Sequence, residues 1–117
     1  MKVIAKYHAL YDPPLLQLYI HDAPHRRMHI KVIQQYRKIL YEAVRHTSIG
    51  HQLPINHQID LDVLFIDGAS PDLGNLYLAL EQALDSTTLK PNPGIVADDS
   101  LIQKVSMAKF YPGEMKK

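Results

Sequence analysis

At 117 residues, 46% hydrophobic and 21% charged, the chain has the size and balance of one compact domain spanning residues 1–117. It contains no cysteine, which excludes disulfide frameworks, thiolate zinc sites and cysteine nucleophiles, so a bound metal must be held by oxygen or imidazole ligands. The formal net charge of +1 creates no overall pull toward a polyanion, and no stretch approaches the roughly eighteen apolar residues of a membrane span, so the expectation is a soluble cytoplasmic protein without a membrane partner.

In chain order, Lys2 to Tyr11 alternate loosely and stop at Asp12-Pro13-Pro14, which predicts a strand closed by a turn. Leu15 to His21 is a short apolar run able to pair with it as a hairpin. Asp22 to Arg27 has no period and predicts a loop. From Met28 to about His46, Val32, Ile33, Tyr36, Leu40, Ala43 and Val44 recur near helical spacing, with Lys31, Gln34, Gln35, Lys38, Glu42 and Arg45 mostly opposite. Gly50 and Pro54 mark the following connection. Ile59, Leu61, Val63 and Phe65 then alternate with Asp60, Asp62, Leu64 and Ile66, the period of a strand with one well-buried face.

Gly68-Ala69-Ser70-Pro71 ends that strand, with Ser70 as the expected N-cap and Pro71 as the first residue of a second helix. Leu73, Leu76, Tyr77, Leu80 and Leu84 form its stripe, which stops near Ser86. Lys90 to Gly94 is a rigid turn, Ile95-Val96 is short and apolar, and Gln103 to Tyr111 alternates as a last strand. Strands and helices in this order predict an α+β fold, a small mixed β-sheet flanked by two α-helices.

Charge is unevenly spread. His25 to His46 carries six basic residues, Arg26, Arg27, Lys31, Arg37, Lys38 and Arg45, against the acid Glu42, whereas Asp60 to Asp99 carries eight acids against Lys90. A solvated helix face explains the first cluster as well as phosphate binding does; the second reading gives Arg26 and Arg27 as bidentate phosphate donors and Lys31 and Lys38 as point charges. Asp67 with Asp72, and Asp98 with Asp99, lie at element ends where carboxylates can converge on a hard divalent cation, though helix-terminal charge and a solvated turn account for them equally. His21, His25 and His29 are spaced by four, but Pro24 interrupts any helix that would align them.

The stretch Ser70-Pro71-Asp72-Leu73-Gly74-Asn75-Leu76, then Ala83-Leu84-Asp85, then Ile95-Val96-Ala97-Asp98-Asp99-Ser100-Leu101-Ile102, resembles the RusA family of Holliday-junction resolvases over roughly residues 59–110. The resemblance implies that Asp72 and Asp99 are the principal catalytic and metal-binding carboxylates, with Asp98 the acidic neighbour of Asp99 and Asn75 the motif asparagine. Gly74 stands where the family has its second aspartate and Leu78 where it has its catalytic lysine. Asp67 is the expected substitute ligand, and Lys90 or Lys104 the substitute cation.

On that resemblance the expected activity is Mg2+-dependent (or Mn2+-dependent) endonucleolytic resolution of branched DNA, a four-way junction, by a homodimer that places one active site at each of two equivalent strands. Gly74 and Leu78 leave open a degenerate relative that binds branched DNA without cutting it, and a third reading is a phage or prophage adaptor that uses the fold for protein contacts.

Overall fold

The structure, a computed structural model, describes residues 1–24, 29–67, 72–87 and 94–111. Strands β1 (Lys2–His8), β2 (Leu15–His21), β3 (Ile59–Ile66) and β4 (Ile102–Phe110) form one sheet in the order β1-β2-β3-β4. Helices α1 (Ile30–Arg45) and α2 (Leu73–Leu84) connect β2 to β3 and β3 to β4. β1 and β2 pair antiparallel as a hairpin, and β2, β3 and β4 are mutually parallel, so the α+β class and the mixed sheet are as the sequence leads one to expect.

Parallel neighbours need crossover connections, and here both crossovers step the same way across the sheet. The right-handed rule then puts both helices on one face. The core follows that geometry. Leu16, Leu18 and Ile20 from β2 and Ile59, Leu61, Val63 and Phe65 from β3 form one buried cluster with Tyr36, Leu40 and Val44 of α1 and Leu76, Leu80, Ala83 and Leu84 of α2. Burying a side chain of this kind contributes roughly 1.5–3 kcal/mol. Val3, Ala5, Tyr7 and Val105 pack against the margin of the cluster. None of the described helices is long and apolar enough to cross a membrane.

Three expectations change. β1 ends at His8 rather than Tyr11, because its pairing partner begins at Leu15 and residues 9–13 are taken up by the turn. The N-cap of α2 is Asp72, whose Oδ1 accepts from the Gly74 N–H at 2.8 Å, so the helix begins at Leu73; Ser70 and Pro71 lie outside the described residues. Arg37 is not part of a solvent-facing basic surface: it is 1% exposed, on the same side of α1 as Tyr36, Leu40 and Val44.

Candidate metal centre

The segment that follows α2 is held by backbone pairing before any side chain is considered. Ile95 N–H and Val96 N–H both donate to the Leu84 carbonyl, and Ser86 N–H returns to the Val96 carbonyl at 2.9 Å. Ile55 N–H donates to the Ile95 carbonyl and Ala97 N–H to the Ile55 carbonyl, so residues 95–97 run as a short extended piece between the end of α2 and Ile55. Gly94 allows this approach. A Cβ there would stand 2.6 Å from the Leu84 carbonyl oxygen and 2.8 Å from the Ser86 nitrogen.

This pairing carries Asp98 and Asp99 to the C-terminal end of α2, where Asp85 is the C-cap. One carboxylate oxygen from each of Asp85, Asp98 and Asp99 lies within 4.8 Å of the others. Asp85 is 5% exposed, whereas Asp98 and Asp99 face solvent. Asp85 Oδ1 accepts from both the N–H and the hydroxyl of Thr87 at 2.8 Å, and Asp98 Oδ1 accepts from Ser100 N–H at 2.9 Å.

The Ser100 amide holds the Asp98 carboxyl below the usual carboxylate range. Asp99 moves the other way. Its protonated carboxyl donates to Asp98, and the charges of Asp85 and Asp98 add to that, so its proton is held more tightly than usual. Tyr77, one turn before Glu81 on α2, has its phenol pushed up to about 12 by burial first, then by Glu81 and by the charge of Asp99. Crowded carboxylates that oppose one another's ionisation are a donor set whose charge a hard divalent cation can neutralise.

Behind the cluster stands Arg37. Its guanidinium crosses from α1 to the end of α2, where Nε donates to the Ala83 carbonyl at 3.0 Å and Nη2 donates to the Gln82 carbonyl at 3.2 Å and to the Asp85 carbonyl. A helix C-terminus leaves its last carbonyls unsatisfied and carries partial negative charge, and a buried arginine answers both. Burial lowers the guanidinium pKa, and Asp85 opposes that shift.

The expected site residues divide between two ends of the molecule. Asp72 caps the start of α2 and Asp85 ends it, thirteen residues later, which at about 1.5 Å per residue separates them by about 20 Å. Asp72 therefore cannot share an ion with Asp99, and the expected pairing is corrected: the third carboxylate near Asp98 and Asp99 comes from the opposite end of the helix. Asp67 follows the last residue of β3 and donates its N–H to the Phe110 carbonyl at the end of β4, whereas Asp98 and Asp99 precede the start of β4. At about 3.3 Å per residue, the eight residues of β3 put Asp67 roughly 26 Å away along the strands. It is no substitute ligand for that cluster.

Asn75 is exposed in the first turn of α2, and Leu78 is 59% exposed on the same helix. Lys31 and Lys38 are exposed on α1 and line a shallow concavity with Val32, Gln34 and Gln35. Arg26, Arg27, His25 and Lys90 lie outside the described residues. Lys104 lies on β4 opposite Asp60 of β3. His21 ends β2 and His29 is the N-cap of α1, so no helix joins them. Sequence reasoning missed Asp85 and Arg37 as members of the site. The Ala83-Leu84-Asp85 helix end and the lone basic residue within the Tyr36, Leu40 and Val44 stripe were the available signals. No family model, curated protein or solved structure matches the chain.

Proposed function

We propose that the chain is a Mg2+-dependent (or Mn2+-dependent) endodeoxyribonuclease acting on branched DNA, with Asp85, Asp98 and Asp99 as its cation ligands and Lys31 and Lys38 as phosphate contacts. The observation that carries the reading is the convergence of three carboxylate oxygens within 4.8 Å. Three hard oxygen donors suit Mg2+ or Mn2+, which keep waters and take phosphate oxygens as further ligands. When bound there, such an ion supplies charge neutralisation at the reacting phosphate and acidifies a water.

The chain's own residues do the rest. Arg37 and the 94–97 segment fix Asp85 against Asp98, Thr87 and Ser100 orient two of the carboxylates, and the exposed lysines of α1 offer a face for the duplex backbone. Four-way junctions are the substrate to test first, with Arg26 and Arg27 as further phosphate contacts and a homodimer as the acting species.

Gly74 and Leu78 leave the N-terminal half of α2 without a metal ligand or a cation for the leaving group, so a second reading is branched-DNA binding without cleavage, which holds if Asp85, Asp98 and Asp99 bind no ion. Incubation with a synthetic four-way junction, with and without Mg2+ or Mn2+, separates the two. The nuclease reading expects cation-dependent nicking that Asp99→Asn abolishes while binding persists. Binding without nicking selects the second reading, and failure to prefer branched over linear DNA removes both.

A further inference from the structure

The β1–β2 turn lies at the end of the sheet where β3 and β4 begin. Beside it is a concavity of about 240 Å3 whose walls include Tyr11 of the turn, Leu15 of β2, Asp60 and Asp62 of β3, and Lys104 and Ser106 of β4. Ile59, Leu61 and Val63 point into the core, so Asp60 and Asp62 point to the side away from the helices, about 6.6 Å apart along the strand. The register sets Lys104 opposite Asp60 and Ser106 opposite Asp62.

Both carboxylates are half-buried, and among the described residues neither forms an ion pair. Asp62 has a neutral partner instead. Gln17 Nε2 donates to Asp62 Oδ2 at 3.0 Å, which turns the amide oxygen toward His8 Nε2, 2.6 Å away. An ionised carboxylate only accepts, so the amide orientation is fixed and the imidazole is the donor at the far end. His8 meets the Tyr11 ring edge to face, with centroids 5.7 Å apart. One chain of contacts therefore holds both the Asp62 carboxylate and the Tyr11 ring in place before any ligand arrives.

We infer that this concavity is a binding site for free arginine. Charge selects the class. Two carboxylates against one ammonium leave the walls net negative, and the ligand that neutralises every group has one anionic and two cationic centres. A basic amino acid has that composition: its α-carboxylate suits Lys104 and Ser106, its α-ammonium Asp60 and its side-chain cation Asp62. Shape selects within the class. A planar guanidinium offers a carboxylate two parallel donors and lies flat on a tyrosine ring, whereas a lysine ammonium is a point charge.

Size agrees, since the space falls below the roughly 300–1,000 Å3 of sites for drug-sized ligands. An arginine within a peptide lacks the free carboxylate for Lys104. A nucleotide is disfavoured because its phosphate adds negative charge to walls that are already net negative. The inference does not rest on the nuclease reading, as it uses none of Asp85, Asp98 and Asp99.

Calorimetric titration of the intact chain, with amide shifts of residues 60–62 and 104–106 as a second readout, is expected to show one saturable L-arginine site with a dissociation constant of about 1 mM or below. Agmatine, without the carboxylate, and citrulline, without the side-chain charge, are each expected to bind at least about 10-fold more weakly. Asp62→Asn removes the charge but keeps an acceptor for Gln17, and weakens arginine binding at least about 10-fold. Asp60→Asn does the same without touching the Gln17 bond, and Tyr11→Leu weakens binding about 2- to 5-fold. Asp99→Asn leaves it unchanged, which separates this site from the carboxylates at the end of α2. No saturable binding up to about 10 mM arginine overturns the inference. So do equal binding of agmatine, tighter binding of guanosine monophosphate, and arginine binding that survives both aspartate replacements with unchanged circular dichroism.

Discussion

Replacing Arg37 by methionine tests whether one buried cation organises the end of α2. The substitution keeps a flexible apolar stem of similar length but removes the guanidinium donors to the carbonyls of Gln82, Ala83 and Asp85. A buried acceptor left unsatisfied costs about 1–3 kcal/mol. Gln82 is exposed and can turn to water, so two of the three carbonyls bear most of the loss, and the retained stem offsets part of it. The net expectation is about 3–4 kcal/mol, a large fraction of the roughly 5–15 kcal/mol that stabilises a domain of this size.

With an m-value near 1.5 kcal/mol/M, the urea midpoint followed by circular dichroism falls by roughly 2 M. Arg37→Lys keeps the charge but presents a point donor where a planar fork is needed, and recovers about half of that shift. A midpoint for Arg37→Met within about 0.5 M of wild type would refute the reasoning, since the guanidinium would then be tolerated rather than required.

Three further outcomes follow from the same geometry. Gly94→Ala drives a Cβ into the Leu84 carbonyl and the Ser86 backbone, so it is expected to cost about 2–3 kcal/mol in chemical unfolding and to lower Mn2+ affinity by displacing Asp98 from Asp85. Asp72→Ala removes the N-cap of α2 and is expected to cost about 1 kcal/mol, with Asp72→Ser restoring it; Mn2+ binding, read by electron paramagnetic resonance, is unchanged in both, and a loss of binding would return Asp72 to the ligand set. Cation binding competes with the proton on Asp99, whose pKa is raised, so affinity is complete above that value and falls as pH drops through it, starting higher than for an ordinary aspartate. In the cation-free protein the sign reverses: the raised Asp99 pKa contributes stability below the unfolded value of 3.8 that is lost as pH rises through the folded one, and adding Mn2+ restores it. Affinity independent of pH across that window would remove Asp99 from the site.

The fold class was legible because it rests on local periodicity. The alternation from Ile59 to Ile66 and the 3.6-residue stripes of α1 and α2 state which faces are apolar, and crossover handedness leaves little choice in where the helices lie. Helix ends were less legible. Asp72 was read as chemistry when it is a cap, because an aspartate before a helix looks the same in either role. Arg37 was counted as surface charge, since a sequence pattern cannot reveal that the α2 carbonyls stand across from it.

The identity of the acids that meet was decided by tertiary structure alone. Residue spacing placed Asp72, Asp98 and Asp99 in a suggestive order, but order along the chain carries no information about which end of a twelve-residue helix faces the turn before β4. That was settled by the backbone bonds of Ile95 and Val96 to Leu84, which bring Asp98 and Asp99 to Asp85 and leave Asp72 a helix length away. Periodicity is a local property and survives translation into structure; convergence of carboxylates depends on long-range pairing, which only the folded chain supplies.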